Sequence, residues 1–332
     1  MEWTQALGLI LGSLIVFMIT GMPVAFCFIA VNIVGAFVFW GGLLGIEQLV
    51  VSMFSSLASF VLLPIPMFIL MGDVMSHSGM ASILIKTLDQ WLGRLPGRLS
   101  LLAVAAGTVL STLSGTSMAS VVMLGPMLIP EMEERGYKRV MILGPIMGSG
   151  GLAHMIPPSA LAVLLAAIGY LSIGKILIAI IMPGLLLASL FAAYIVIRCI
   201  LQPSIAPPYV VTGVSLSDKL ASFARYVLPV SLVIFLVVGL IFIGVATPSE
   251  AAATGAMGTF ILAAIYGKFN VPLVIKSITS TTKTSIMLLF IMSGAGAFSQ
   301  NLAFTGASKG LIEAAVSLPL HPIGIIICLQ LI

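Results

Sequence analysis

Oxygen-bearing and small residues interrupt an otherwise apolar sequence at two places, residues 113–117 and residues 148–159, which read LSGTS and GSGGLAHMIPPS. The second segment contains two successive prolines. Because proline has no N–H for a helical hydrogen bond, carbonyl groups near Ala153 and His154 lose their helical partners. In a membrane, carbonyl and hydroxyl oxygens at such breaks coordinate alkali cations, and the helix N-termini beside them favour an anion. The two segments therefore suggest an ion and anion site.

A packing explanation competes with this hypothesis. Small residues let transmembrane helices approach closely, and prolines can simply kink a helix. Non-helical backbone at membrane depth, however, is tolerated only inside protein or beside water. Two oxygen-rich breaks expected at a similar depth therefore favour a binding site over packing alone.

The composition defines the broad class of protein. Hydrophobic residues make up 60% of the 332-residue sequence and charged residues only 7%, whereas soluble domains contain about 25% charged residues. Apolar stretches of transmembrane length follow one another along the chain, which predicts an all-α, polytopic helical membrane protein. The net charge of +4 comes from basic residues in loops rather than on one face, which argues against nucleic-acid binding. The three cysteines are isolated in apolar runs and are expected to be small core residues.

The first break lies between two short apolar runs, 99–113 and 118–129. At 1.5 Å per residue these runs would be ~22 Å and ~18 Å long, too short for a hydrocarbon core of ~30 Å. Basic residues flank the pair on both sides, so the positive-inside rule places both ends in the cytoplasm. This pattern favours a re-entrant hairpin over residues 99–129 with LSGTS at its tip. The alternative is a single kinked span.

Other interruptions suggest how the rest of the chain is divided. Gly21-Met22-Pro23 makes the N-terminal apolar run either one kinked helix or two helices. Residues 81–100 form an amphipathic stretch typical of a helix at the membrane interface. Residues 140–170 are expected to cross the membrane as a helix broken at IPPS, and the proline-rich segment 202–218 is typical of a linker. Residues 284–303 are a further apolar run.

Three polar features have simpler structural explanations. The segment TPSE at 247–250 matches a capping box, with threonine as N-cap and glutamate at the third helical position. Asp73 is a candidate intramembrane ion or proton ligand. It comes just before SHSG at 76–79, however, which suggests a helix end near the interface, where a carboxylate is ordinary. His154 is a candidate to sense protons or to donate to a substrate carboxylate, and the alternative is a satisfied packing residue.

Catalytic motifs are absent from the sequence. It contains no HExxH, no GxSxG and no phosphate-binding P-loop. We therefore expect neither enzymatic activity nor ATP-driven transport by this chain, so that energy would come from an ion gradient or a partner. The missing catalytic set disfavours a membrane-embedded enzyme, and the two oxygen-rich breaks disfavour a passive scaffold.

The sequence resembles the large membrane subunit, the DctM-like M subunit, of the tripartite ATP-independent periplasmic (TRAP) transporters. The matching stretches are GMPVAF at 21–26, PIPMFILMGDVMSHSG at 64–79, LSGTSMASVVMLGPMLIPEMEERGY at 113–137, GGLAHMIPPS at 150–159, IMPGLLL at 181–187 and GVATPSEAAATGA at 244–256. They occur in the family's order and cover most of the chain, so the series is specific although each stretch alone is weak. The tip reads GTS where GSS is common, which preserves the hydroxyl groups.

The resemblance implies an elevator-type transporter with inverted repeats. It divides the chain into N-terminal scaffold and arm helices over 1–98, a first transport-domain repeat over 99–201, a linker over 202–218 and the start of a second repeat over 219–332. The second hairpin tip and the second Pro-Pro break of the family do not occur in the sequence. The second repeat, and the second sodium site with it, are therefore expected to be incomplete in this chain.

The resemblance also implies a function and a site. The chain is expected to be a large permease subunit for sodium-coupled uptake of an organic acid, such as a C4-dicarboxylate or sialic acid, in the bacterial inner membrane. Sodium is expected between the hairpin tip and the broken helix, where the implied residues are Ser114, Gly115, Thr116, Ser117, Gly151, Met155 and Pro157. The candidates for substrate contact are Ser117, His154 and Ser159.

The implied partners are a small, DctQ-like membrane subunit, a periplasmic substrate-binding protein, the organic anion and the lipid bilayer. The resemblance implies Na⁺ as coupling ion, and we expect no organic cofactor and no nucleic acid. The alternative is a stand-alone elevator-type symporter of an ion and an organic anion, which would need no binding protein.

Overall fold

The computed structural model describes residues 2–93, 95–114, 117–207, 215–317 and 323–324, except the side chains of Leu113, Ser114, Met118, Ala119 and Ala315. These residues form helices joined by short turns, and no strand occurs among them. In chain order the α-helices are α1 (Trp3–Ile19), α2 (Val24–Phe39), α3 (Leu43–Leu57), α4 (Pro64–His77), α5 (Met80–Trp91), α6 (Arg98–Ser114), α7 (Ser117–Glu134), α8 (Arg139–Gly151), α9 (Ala160–Ile168), α10 (Ile173–Ala179), α11 (Ile181–Leu201), α12 (Leu216–Ser222), α13 (Leu228–Ile243), α14 (Pro248–Ile265), α15 (Val271–Phe304) and α16 (Ala307–Val316).

Helices of membrane-spanning length confirm the expected fold class. Within the described ranges, four helical stretches are long and apolar enough to cross a membrane: Phe60–His77, Ile173–Leu201, Leu216–Ile243 and Val271–Phe304. The second and third of these bury only 11% and 17% of their most apolar windows inside the protein. Exposed apolar side chains such as Leu186 and Phe235 therefore need lipid rather than water around them. The chain is a polytopic helical membrane protein.

Contacts divide the chain into two compact units. The first contains Met1–Ser59 and Ile286–Ile332, and the second contains Phe60–Ser285. Helix α15 contributes its first part to the second unit and its remaining part to the first. The domain boundaries expected from the sequence concern evolutionary repeats rather than contact density, so they stay predictions.

Buried amides link the helices of the first unit. Asn32 of α2 donates through Nδ2 to the carbonyl oxygen of Gly294, at 2.7 Å. Asn301, two turns further along α15, donates through Nδ2 to Asn32 Oδ1, at 3.1 Å. Both asparagines are fully buried. Lipid chains are as apolar as leucine, so interhelical hydrogen bonds and close packing take over part of the role of the hydrophobic effect here.

The largest core of the second unit surrounds α6, α7 and α8. Its most deeply buried side chains include Leu99, Leu102, Leu124, Met132 and Met141. A second core between α4, α5, α13 and α14 is also apolar. These two cores hold the hairpin helices and the first part of the broken helix in fixed positions.

An ion pair fixes the start of α6. Arg98 Nη2 lies 2.7 Å from Asp89 Oδ2, and Arg98 Nε donates to Asp89 Oδ1 at 2.9 Å. Asp89 lies in α5, so this pair ties the amphipathic helix to the first arm of the hairpin. The amphipathic stretch expected over 81–100 is therefore two elements, because α5 ends at Trp91 and α6 begins at Arg98.

The N-terminus of α14 confirms the expected capping box. Thr247 Oγ1 accepts a hydrogen bond from the Glu250 N–H at 3.3 Å, and Glu250 Oε2 accepts one from the Thr247 N–H at 2.8 Å. Pro248 occupies the first turn, where its missing N–H costs nothing. The glutamate therefore serves the local structure.

The structure decides between the two alternatives for the N-terminal apolar run, and it places two lysines in a helix rather than in a loop. The N-terminal apolar run forms two helices, because Gly21 adopts φ +77° between α1 and α2. Helix α15 begins at Val271, so Lys276 and Lys283 lie on its exposed surface and precede the apolar run within one helix. Long lysine side chains can extend to the membrane surface from such positions, which a loop assignment overlooks.

Candidate functional site

The hairpin arms fold back on each other beside residues 115–116. Ser111 Oγ of α6 lies 3.2 Å from Ser120 Oγ of α7. In one continuous helix, residues nine apart would be separated by about 13 Å along the axis. A single kinked span is therefore excluded, and α6 and α7 form a helical hairpin as the sequence predicted, while its re-entrant position in a membrane stays a prediction. Its second arm continues beyond residue 129 to Glu134.

The second break has the form that its prolines predict. Helix α8 ends at Gly151, one 3₁₀ turn follows over Leu152–His154, and α9 begins only at Ala160. The peptide bond between Pro157 and Pro158 is cis. Because these prolines have no N–H, the carbonyls of the residues four positions before them cannot receive helical hydrogen bonds. The break therefore presents acceptor oxygens that the helix itself does not use.

The two breaks meet at buried hydroxyl groups. Ser111 Oγ lies 3.1 Å from the carbonyl oxygen of Ser149, two residues before the end of α8. Ser120 Oγ donates to the carbonyl oxygen of Ser117 at 3.0 Å. Ser111, Ser120 and Ser149 are all fully buried. The hydroxyls thus connect both arms of the hairpin to the start of the break.

Glycines allow this close approach. A Cβ at Gly150 would lie 2.9 Å from Val121 Cγ2 and 3.1 Å from the carbonyl oxygen of Ser117. A Cβ at Gly107 would lie 2.3 Å from Ser149 Oγ. Any larger residue at either position would push the hairpin away from α8.

Helix α11 supports the break from another side. A Cβ at Gly184 would lie only 2.3 Å from the carbonyl oxygen of Met155 and 2.8 Å from its carbonyl carbon. Backbone atoms cannot rotate out of the way as a flexible side chain can. The unwound backbone can therefore occupy this position only because residue 184 has no Cβ.

The predicted sodium residues fall into two groups. Gly115 and Thr116 lie outside the described residues, and so does the side chain of Ser114. Ser117 begins α7, and its carbonyl oxygen lies against Gly150. The remaining predicted residues are on the broken segment, and they are Gly151, Met155 and Pro157. The structure thus brings the described hairpin end to the break, while sodium ligation itself stays a prediction.

The predicted substrate residues differ in their surroundings. His154 Nδ1 is buried and has no hydrogen-bond partner among the described residues. A buried ring nitrogen without a partner is unusual, and both the substrate role of His154 and its packing alternative stay predictions. Ser159 is fully buried and accepts a hydrogen bond from the Ala162 N–H at 3.2 Å as N-cap of α9. Its hydroxyl has a structural role, and its contact with substrate stays a prediction.

Sequence reasoning missed the three buried serines. Ser111 lies three residues before Ser114, and Ser120 lies three residues after Ser117, so both stand one helical turn from the tip. Hydroxyl groups repeated at one-turn spacing on both sides of a predicted hairpin tip were the available signal. Ser149 lies within the glycine-rich start of the second break.

A surface cavity of about 520 Å³ lies in the first unit. Its lining residues are Trp40, Leu44, Gly45, Gln48, Gln300, Ala303 and Phe304. None of them belongs to a motif that the sequence singled out. Polar density and broken backbone, rather than cavity size, therefore identify the candidate site.

The donor set at the site suits a monovalent cation. Within the described residues, no cluster of three or more histidine, cysteine, aspartate or glutamate side chains could hold a transition metal. The groups assembled at the two breaks are hydroxyl and carbonyl oxygens, which are hard ligands. Neutral oxygens of this kind can replace the hydration shell of an alkali ion.

A hairpin packed on a proline-broken helix, within a chain of apolar helices, is the architecture of a secondary transporter. Comparison with known proteins agrees with this class. Residues 11–332 match the family model described as "Tripartite ATP-independent periplasmic transporter, DctM component". The chain belongs to this family, as the sequence motifs predicted.

Named relatives include three permeases. The ectoine/5-hydroxyectoine TRAP transporter large permease protein UehC of Ruegeria pomeroyi is 28% identical over 96% of this chain and 74% of its own length. The C4-dicarboxylate TRAP transporter large permease protein DctM of Vibrio cholerae is 31% identical over 99% and 76%. The isethionate TRAP transporter permease protein DctMQ of Oleidesulfovibrio alaskensis is 26% identical over 100% and 51%. The chain is thus a TRAP transporter large permease subunit, one part of a tripartite system, and not an enzyme.

Proposed function

We propose that this chain imports an organic anion by coupling it to sodium at the contact between the α6–α7 hairpin and the broken α8–α9 segment, in an elevator-type movement. The observation that carries the proposal is the buried hydroxyl contact of Ser111 with the carbonyl of Ser149, next to a helix interrupted by two prolines. This contact joins the two segments between which the resemblance implies the first sodium site.

The partial charges at the two breaks support the binding of a cation together with an anion. Carbonyl oxygens freed by the prolines carry partial negative charge and favour Na⁺. The N-terminus of α9 presents positive dipole ends to an anionic group. His154 Nδ1, which has no partner within the described residues, supplies a polar group for the same anion. Sodium and substrate would then stabilise each other's binding.

The partners and location follow from the family. The tripartite description and the relative named DctMQ support a small DctQ-like subunit and a periplasmic binding protein as partners, with the chain in the bacterial inner membrane. Relatives are named for ectoine, C4-dicarboxylate and isethionate, so the substrate class we propose is a small organic acid or zwitterion carrying a carboxylate or sulfonate.

Uptake measurements with a matched pair of variants test the proposal. The chain is reconstituted in liposomes with its small subunit and binding protein, and uptake of labelled succinate, ectoine and isethionate is followed under a sodium or potassium gradient. Gly150→Ala places a methyl group against the Ser117 carbonyl and should reduce sodium-driven uptake. We expect about tenfold or more, because ~1.4 kcal/mol of lost binding energy has that effect.

Gly144→Ala is the control for this variant. It lies in the same helix, α8, and a Cβ there would meet no atom within 4 Å. It should transport at the wild-type rate. Equal uptake in potassium and sodium would contradict the coupling, and normal uptake by Gly150→Ala would contradict the location of the site.

A further inference from the structure

A carboxylate of α4 is paired with a hydroxyl-rich face of α15. Thr281 Oγ1 donates a hydrogen bond to Asp73 Oδ2 at 2.8 Å. The hydroxyl of Ser280 also interacts with this carboxylate. Asp73 lies inside α4, four residues before the helix end that the sequence suggested. Its surroundings therefore differ from those of an ordinary interfacial carboxylate.

The buried face of α15 continues this polar surface in both directions. Residues four apart lie on one side of a helix, so Ser277 and Ser285 share the face of Thr281. All three residues are buried: Ser277 is 0% exposed, Ser285 is 6% exposed and Thr281 is 7% exposed. Helical side chains lean towards the N-terminus, so the Thr281 hydroxyl lies over the turn that contains Ser277. Ser277 therefore lies one turn of α15 from Thr281, the residue that donates to Asp73.

Two of these hydroxyls have unused bonding capacity. Ser277 Oγ and Ser285 Oγ are buried without a hydrogen-bond partner in the part of the chain that the structure describes. A buried hydroxyl without a partner is costly, and native structures contain few of them. Their oxygen lone pairs are available to a ligand that accepts electron density.

Within the described residues, the Asp73 carboxylate forms no ion pair. In the described ranges, the ion pairs join Arg98 to Asp89, Arg135 to Glu131 and Lys309 to Glu313, and none includes Asp73. His77 Nδ1 lies 2.8 Å from the backbone carbonyl of Asp73, and the ring is exposed. Among the described residues, the side chains that act on this carboxylate are the hydroxyls of Thr281 and Ser280 and the imidazole of His77, and none of them is a lysine or an arginine.

We infer that Asp73, Ser277, Ser280 and Thr281 form a second cation site, which takes a dehydrated monovalent cation of the size of Na⁺. One carboxylate supplies one negative charge, which balances a monovalent ion but not a divalent one. The hydroxyl oxygens supply the hard neutral ligands that such an ion needs. Ionisable residues inside transmembrane segments are functional-site candidates by default, and here the partner groups are identified.

Thermal unfolding of the purified full chain in detergent tests this site. Tm is measured against NaCl concentration, with choline chloride keeping the ionic strength constant. The wild type should show a sodium-specific rise in Tm, because a ligand that binds only the folded state stabilises it. Asp73→Asn keeps the shape of the side chain and removes its charge. It should raise the sodium concentration for the half-maximal shift by about tenfold or more.

Ser277→Ala is the second variant, because it removes an unpartnered hydroxyl without breaking a hydrogen bond. It should weaken the sodium response while leaving the Tm in choline almost unchanged. Asp218→Asn, at an exposed position of α12, and Thr279→Ala, on the exposed side of α15, are the matched controls. A full sodium response in both Asp73→Asn and Ser277→Ala, or none in the wild type, would overturn the inference.

Gly150→Ala separates this site from the one at the hairpin. If the Asp73 site exists, Gly150→Ala keeps the part of the sodium shift that Asp73→Asn removes. If Gly150→Ala abolishes the whole shift and Asp73→Asn abolishes none, the second site is wrong while the proposed function stands. If Gly150→Ala changes neither the shift nor uptake, the hairpin site fails while the Asp73 site stands.

Discussion

Two helices of this protein start with prolines beside a hydroxyl residue, and their N-termini have opposite properties. At α14, Thr247 and Glu250 satisfy each other's backbone N–H groups on an exposed surface. At α9, Ser159 caps one N–H, but it is buried and follows two prolines that leave upstream carbonyls without helical partners. The third residue of α9 is Ala162 rather than a glutamate, so no side chain accepts a hydrogen bond from the backbone N–H of the cap residue.

The difference indicates where a ligand belongs. A helix start that satisfies its own polar groups has nothing to offer a ligand, whatever charged residue it carries. At the start of α9, the prolines remove helical partners from upstream carbonyls, and His154 Nδ1 has no partner among the described residues, so bonding capacity is still available there. Four substitutions, ordered by expected effect, test this contrast.

Gly184→Ala should have the largest effect. Its Cβ would lie 2.3 Å from the Met155 carbonyl oxygen, so the unwound segment before α9 must move. We expect a loss of ~1–3 kcal/mol in stability, typical of overpacking, together with loss of transport. Thermal unfolding in detergent and the uptake assay measure both quantities. Wild-type transport would mean that the position of the break is unimportant.

Ser159→Ala should have the next largest effect. It removes the side-chain cap of α9 at a fully buried position, at a cost of ~1–2 kcal/mol. The comparison is Ser172→Ala, since Ser172 precedes α10 but its side chain makes no capping hydrogen bond. Equal decreases in Tm in the two variants would show that the capping hydrogen bond of Ser159 does not add to stability.

Thr247→Ala should cost ~1 kcal/mol, because it breaks an exposed capping box. Transport per folded molecule should be unchanged, in contrast to Gly184→Ala. Thr247→Ser retains the hydroxyl and serves as control in the same unfolding measurement. A selective loss of uptake in Thr247→Ala would break the contrast between the two helix starts.

Gly144→Ala should have the smallest effect and a favourable sign. No atom lies within 4 Å of its added Cβ, and alanine favours an α-helix over glycine by up to ~1 kcal/mol. The expected result is an equal or slightly higher Tm. A marked decrease would indicate that the glycines of α8 matter for flexibility rather than for close contact.

The sequence alone determined the features that depend on local chemistry. The membrane class follows from apolar runs, because lipid requires long apolar helices whatever their arrangement. The capping box at 247–250 and the break at 156–159 follow from hydrogen-bonding groups that neighbouring residues supply or lack. The hairpin over 99–129 followed from arm length and flanking charge, and the Ser111–Ser120 contact shows that its two arms fold back on each other.

Only the tertiary structure decided which of these polar groups come together. Ser111 meets the Ser149 carbonyl across 38 residues, and Thr281 meets Asp73 across 208. Gly184 and the Met155 backbone are likewise distant in the sequence and in contact in the structure. No local pattern encodes such pairs, because they depend on which faces of separate helices are packed together. From the sequence alone Asp73 is therefore expected to be an interfacial carboxylate, and only the folded chain brings the buried Thr281 hydroxyl to it.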